Sequence, residues 1–553
     1  MAHSGRPSDV GAGDNVGGQQ IIEVSPLLRT ANVSGPAHED DSHKRSLDAG
    51  ITLACITNAA IVCLAPLQYG YHIAELNTPR KIITSCDKDG AHWGMLPRCL
   101  PMNDTVYSLA TSIFAVGGLV GSLSAGWMAE KWGRRGALLV NNVSFIVGPL
   151  LMAFSVSPAM LIVGRFVSGI GSGTAVVVAP MYLSEIAPVK FRGTLNILNQ
   201  LSIVIGILIA LIVGMLANEG PYWRIAVFFG MFFACIHLAI TGFAVESPRY
   251  LWSHNRRTEA QAVLCRLRKT ANIEDEIKGW NDPTAVSAMN PRASTDSGSS
   301  SSNNSLLAAQ TGGHRATSDN TIKPDDDEDH SARNTLQVDS VSVTIFNIFR
   351  FAQYRKQWLL ILLLQFGQQL SGINTVFYYS SSVLEKMFSS YISSILTMMI
   401  GVLNVLATAS GALIVDRFGR RPLLFSSMAS MTVSVVLLGV GLGLKINSLA
   451  AVSLYLVVAS FAPGYGPVPF LLGTELFDIR AAAAGGSWAL AANWIGTFIV
   501  ATAFLPLQNL IGEWVFSIFV VALIVCGITF YFHIPETKGR TIEEISQSFK
   551  EDF

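Results

Sequence analysis

The sequence predicts an all-α membrane protein whose twelve transmembrane helices form two pseudo-symmetric bundles of six. Three observations carry this. Of 553 residues, 50% are hydrophobic and only 14% charged, with a mean hydropathy of +0.43, a composition foreign to a soluble enzyme. Apolar runs of about 20 residues, each bounded by charges or by Pro and Gly, start near residues 50, 105, 136, 158, 194 and 224, and again near 357, 392, 422, 449, 485 and 513. The third observation is an internal echo. Glu130-Lys131-Trp132-Gly133-Arg134-Arg135 follows the second run, and Asp416-Arg417-Phe418-Gly419-Arg420-Arg421 follows the eighth, the same place in each set of six.

Taken in order, residues 1–48 are polar and Gly-rich and read as a disordered cytosolic tail. Without an apolar h-region they are no secretory signal, so helix 1 itself would target the chain. Glu23, followed by Leu27 and Leu28, resembles the acidic dileucine signal that clathrin adaptors read on cytosolic tails of endosomal, lysosomal and vacuolar proteins. Residues 49–245 make the first bundle. Its loops bearing Lys131, Arg134, Arg135, Lys190 and Arg192, with Arg417, Arg420 and Arg421 of the second bundle, should be cytoplasmic. An even helix count then places both termini in the cytosol.

The loop after helix 1 falls on the opposite side. There the redox environment permits a disulfide between Cys86 and Cys99, and Asn103-Asp104-Thr105 is a glycosylation acceptor. Cys55, Cys63, Cys235 and Cys526 lie in apolar runs and act as small hydrophobes. Residues 246–356 read as a cytosolic linker: helical spacing from Thr258 to Lys269, then a disordered centre, Ser/Asn-rich from Ser294 to Ser305 and acidic from Asp325 to Asp329. Residues 357–533 make the second bundle, and 534–553 a cytosolic tail.

One stretch organises the rest. Gln365, Gln368, Gln369 and Gly372 recur at helical spacing within QFGQQLSGINTVFYY, so three amides and a bare patch of backbone share one face, and Asn374 continues the polar run. A single intramembrane Gln often bonds only a neighbouring helix. A cluster of neutral amides, each with two donors and two acceptor lone pairs, instead suits a ligand made of hydroxyl groups. Helix 10 adds Pro463-Gly464-Tyr465-Gly466-Pro467-Val468-Pro469, which cannot run as a straight helix. Pro467 and Pro469 therefore mark a gate that bends. Charged residues at helix ends suggest a latch on one face: Glu130, Arg134, Arg135, Glu185 and Arg192 in the first half, Asp416, Arg420, Arg421 and Glu475 in the second.

These motifs together resemble a known family. The two Gly-Arg-Arg turns look like the signature of the major facilitator superfamily. Gly164-Arg165-Phe166, Tyr182-to-Pro188, Glu246-Ser247-Pro248-Arg249, the QQLSGIN run and Pro535-to-Arg540 resemble its sugar porter branch, which includes the facilitative hexose transporters. The resemblance implies the major facilitator fold and a hexose held midway through the membrane. Its ligands would be Gln365, Gln368, Gln369 and Asn374, Asn404 on helix 8 and Asn493 on helix 11, with Gln200 contributing from helix 5.

The chain departs from the branch at several places. Ala462 and Phe470 stand where the broken helix usually carries Glu and Trp, and Ala482 where a latch Arg is usual, so the helix 7 amides should carry a larger share of recognition. Proton-driven members have an Asp on helix 1 facing the helix 4 Arg; here that place holds His72, with Glu75 one turn on and Arg165 on helix 4. Facilitated diffusion is the expected mode, with proton coupling through His72 or Glu75 as its alternative. No nucleophile–base pair, metal-ligand spacing or nucleotide loop appears, so neither enzyme activity, metal, cofactor nor nucleic-acid partner is expected. The expected partners are a monosaccharide, the lipid bilayer and clathrin adaptors, with the chain monomeric in a vacuolar, lysosomal or endosomal membrane, or else the plasma membrane. A transporter-like nutrient receptor is the reading from a different class.

Overall fold

The computed structural model describes residues 51–85, 92–93, 95–188, 191–269, 273–274, 276–277, 347–477, 481–538, 540, 544–545 and 549. The dileucine-like residues Glu23, Leu27 and Leu28, together with Cys86 and the linker centre, lie outside them. Twelve spans run through the described residues. α1 is Leu53–Ala74. The helix Asp104–Ala153 is divided at Gly133 (φ 79°) into α2 and α3. α4 is Pro158–Ile186, α5 Arg192–Leu216 and α6 Trp223–Thr241. α7 comprises Ala352–Leu370 and Ile373–Leu384, and α8 is Ser390–Phe418. α9 is Arg420–Gly443. α10 comprises Asn447–Ser460, a π-helical turn Phe461–Tyr465 and Val468–Glu475. α11 is Ala482–Ile511 and α12 Val515–His533. In a bilayer such helices satisfy their own backbone, which irregular chain there could not. The helical spacing seen after Thr258 appears as the short helix Arg257–Arg268.

Small residues set the packing of the first half. A Cβ at Gly117 would stand 2.1 Å from the Phe166 carbonyl oxygen, and one at Gly173 2.0 Å from that of Gly118, so α2 and α4 touch backbone to backbone. α2 also packs on α11, and α5 on α8, across the pseudo-symmetric interface. The one strand pair among the described residues, His92–Trp93 (β1) with Leu96–Pro97 (β2), lies in the loop between α1 and α2. Cys99 in that loop is disulfide-bonded. Asn103 is exposed, and its side-chain oxygen caps α2 by accepting from the Val106 amide at 2.9 Å.

Hydrogen bonds between the halves gather at this Cys99 end. Asn77 donates to Ser380 Oγ at 2.9 Å and accepts from the Ser381 amide at 3.2 Å. Thr502 donates to Ser112 at 2.7 Å, Asn509 to Asp104 at 2.7 Å and Asn218 to Ser394 at 3.2 Å. The halves are therefore drawn together at this end by neutral side chains and one carboxylate.

Candidate functional site

α7 does not run unbroken through the amide stretch as its spacing suggests. Ser371 and Gly372 interrupt it, with Gly372 at φ 81°, and the bare backbone there is covered by Phe519, whose ring would lie 2.6 Å from a Cβ. Asn374 accordingly starts the second segment instead of extending the first face. The break brings it back over Gln369, whose Oε1 accepts from Asn374 Nδ2 at 2.6 Å. The same nitrogen reaches Thr497 Oγ1 at 3.3 Å.

The remaining amides interlock. Asn493 Nδ2 on α11 donates to Gln365 Oε1 and to Gln368 Oε1, both at 2.9 Å. Gln368 Nε2 in turn donates to the carbonyls of Tyr465 at 2.6 Å and Gly466 at 2.9 Å, groups that the break in α10 has freed from helical bonding. Gln365, Gln368, Gln369 and Asn493 are all buried, and among the described residues their hydrogen-bond partners are neutral. Gln365 Nε2 and Trp494 Nε1 remain buried without a protein partner, donor capacity that a polyhydroxyl ligand would use. Trp494 reaches the first half, where Tyr69 lies 5.8 Å and Phe114 6.2 Å from it, centroid to centroid, and where the absence of a side chain at Gly118 makes room for its ring.

Two other predicted ligands, and the two departures on α10, differ from this core. Asn404 is buried on α8 and Gln200 half-buried on α5, but neither is hydrogen-bonded to the cluster. Phe470 is 39% exposed, while Ala462 is buried. Thr497, one turn after Asn493, was not singled out by composition. Its spacing from Asn493 on one helix face is the signal that could have found it.

A second polar centre is buried wholly in the first half. Glu75 accepts from Arg165 Nη1 at 2.8 Å and bonds His72 Nδ1 at 2.9 Å. None of the three is exposed. Arg165 also donates to the His72 carbonyl at 2.6 Å and lies over the Phe114 ring at 4.5 Å. One carboxylate thus serves a fixed cation and an imidazole, which keeps the centre compensated.

Among the described residues, Arg134 and Arg420 bind helix ends within their own halves. Arg134 grips Glu185 with two bonds of 2.8 and 2.7 Å, and Arg420 grips Glu475 at 3.1 and 2.9 Å. Glu130 is exposed and outside these pairs, a correction to the predicted latch. Its place is taken by two acids that follow the last helix of each half. Glu246 accepts from the amides of Arg134 at 2.9 Å and Arg135 at 3.2 Å, and Glu536 from those of Arg420 at 3.0 Å and Arg421 at 3.1 Å. The geometry requires the left-handed backbone of Gly133 and of Gly419 (φ 87°), which turns successive N–H groups toward one carboxylate. Burial pushes the Glu246 carboxyl up, against the backbone donors and Arg134 that pull it down. Arg135 and Arg421 donate at 2.7 Å to the carbonyls of Gly242 and Tyr531 respectively. Arg192 helps line a small pocket with Ser184, Glu185, Arg249 and Glu276. Pro467 and Pro469 sit where α10 resumes. Asp416 falls in the last turns of α8.

The family model described as sugar (and other) transporter matches residues 58–303 and 310–549. A probable metabolite transport protein of Saccharomyces cerevisiae is 32% identical over 89% of this chain and 94% of its own. The facilitated glucose transporter member 1 of solute carrier family 2 from Gallus gallus is likewise 32% identical, over 88% of this chain and 92% of its own. Among solved structures, the xylose transporter XylE from E. coli, in a partially occluded inward open conformation, superposes with a TM-score of 0.67 over 89% of this chain and 100% of its own, at 20% identity.

Proposed function

Since this chain belongs to the sugar porter family of the major facilitator superfamily and is a multi-pass membrane protein, we propose that the sugar it carries is a hexose, moved by alternating access as facilitated diffusion. The observation that carries the reading is the neutral amide cluster of α7 and α11, with the buried, unpartnered donors Gln365 Nε2 and Trp494 Nε1. A hexose presents several hydroxyls, each both donor and acceptor, and amides match both roles without the desolvation cost of a charge. Binding would exchange amide–amide bonds such as Asn493 to Gln365 for amide–hydroxyl bonds, so little is lost on either side. Gln200 and Asn404, buried or half-buried and not bonded to the cluster, are ligands that would join when the halves close on sugar.

Uptake of labelled glucose, fructose, galactose and inositol into proteoliposomes tests the reading. Saturable uptake of at least one hexose is expected. Uptake of inositol alone, with no hexose carried, would overturn it.

Proton coupling is the second reading, favoured by the buried Glu75, His72 and Arg165. In it His72 or Glu75 would take up a proton as the sugar binds. The dileucine-like Glu23, Leu27 and Leu28 support residence in a vacuolar, lysosomal or endosomal membrane through clathrin adaptors. The sequon supports a glycan on Asn103, whose cap uses only the side-chain oxygen.

A further inference from the structure

The break in α10 leaves backbone groups without helical partners, and each must be satisfied elsewhere inside a bilayer. Two side chains from different helices do this. Ser427 on α9, 3% exposed, donates to the Ser460 carbonyl at 2.6 Å and accepts from the Tyr465 amide at 2.8 Å. One hydroxyl thus spans the π-helical turn from its start to its end. From the other side, Gln368 Nε2 donates to the carbonyls of Tyr465 and Gly466. The turn closes on itself through the Gly466 amide and the Phe461 carbonyl at 2.9 Å. Gly464 lets α9 come this close, since a Cβ there would stand 2.5 Å from both the Leu423 carbonyl oxygen and the Ser427 Cβ.

We infer that Ser427 and Gln368 clamp the α10 hinge in the conformation closed at the Cys99 end, making Ser427 a positioning residue for the gate although it lies outside the amide cluster. This rests on the alternating-access reading above, because a hinge matters only if α10 moves. Gln368 belongs to both structures: its oxygen is bound by Asn493 in the amide cluster while its nitrogen holds the hinge. A sugar hydroxyl that competes for that nitrogen therefore frees the Tyr465 and Gly466 carbonyls and loosens the hinge. Substrate occupancy and gate movement become linked through one side chain.

Accessibility at the Cys99 end tests this without any sugar, so a wrong substrate assignment leaves the experiment intact. Thr502, whose hydroxyl bonds Ser112 across the halves, is replaced by Cys as a reporter in the full chain in proteoliposomes. An impermeant methanethiosulfonate is added on the Cys99 side, and the rate on the unsubstituted chain is subtracted. Ser427→Ala and Gln368→Met should each raise the labelling rate roughly three- to tenfold, the equivalent of one or two lost hydrogen bonds. Ser453→Ala, which removes a buried hydroxyl bonded only within α10, should leave it within about twofold. A Ser427→Ala rate within that control range, or a rise equalled by Ser453→Ala, overturns the clamp. Should Ser427→Ala fail to fold, Gln368→Met decides by the same criterion.

Discussion

Arg165 Nη1 lies 2.8 Å from Glu75 Oε1, and neither side chain has any exposed surface. A buried pair of this kind costs little while both partners are present, and much when one is removed. Arg165→Ala should therefore lower stability by about 3–5 kcal/mol, read as a fall in the melting temperature of the purified protein. Removing both charges together, as Glu75→Gln with Arg165→Met, should recover most of that loss. A double variant no more stable than Arg165→Ala would show that the pair's charges are not what the site depends on.

The same centre is the proposed point at which proton coupling and facilitated diffusion part. For facilitated diffusion, sugar inside proteoliposomes should stop at the outside concentration whichever way a pH gradient is imposed. Accumulation beyond that level, abolished by a protonophore, would replace this reading with proton coupling through His72 and Glu75.

In the amide cluster, Gln369→Ala and Asn374→Ala each remove one partner of the 2.6 Å bond between them and one of the proposed contacts to a sugar hydroxyl. Each should raise the KM for hexose by roughly tenfold, the size of one or two hydrogen bonds. Thr497→Val, equal in volume, should raise it by a smaller factor. Kinetics identical to the parent protein in both amide variants would place the sugar elsewhere.

Gly133 is held at φ 79° with the Glu246 carboxylate against its bare face, where a Cβ would stand 2.4 Å from Oε2. Gly133→Ala should cost at least about 1–2 kcal/mol from the backbone alone, measured by thermal unfolding. Gly126→Ala, where a Cβ meets nothing within 4 Å, serves as the control. Gly419→Ala should repeat the effect in the second half, where Glu536 takes the part of Glu246. Equal melting temperatures for Gly133→Ala and Gly126→Ala would mean that the turn does not matter to stability.

The tail carries a prediction of its own. Replacing Leu27 and Leu28 by Ala should move the protein from an internal membrane to the cell surface, as seen by surface biotinylation. An unchanged distribution would remove the sorting role.

The sequence by itself determined the twelve spans, their division into two sixes and the equivalence of Arg134 with Arg420, because hydrophobic run length and a repeated motif are local properties. It also pointed to Gln365, Gln368, Gln369 and Asn374 as one polar run, while Asn493, Asn404 and Gln200 came only through the family resemblance, and of these three Asn493 is the one bonded to the run. What it could not determine was which partner each side chain meets. Only the tertiary structure decided that Gly372 breaks α7 and is covered by Phe519, that Glu246 and Glu536 hold the arginine turns in place of Glu130, and that Arg134 and Arg420 each stay within their own half. It alone shows Ser427 and Gln368 meeting at the α10 break. The physical reason is that hydrogen-bond partners come from helices distant in sequence. A proline-broken helix announces that backbone groups will be freed, but the packing of its neighbours decides what satisfies them.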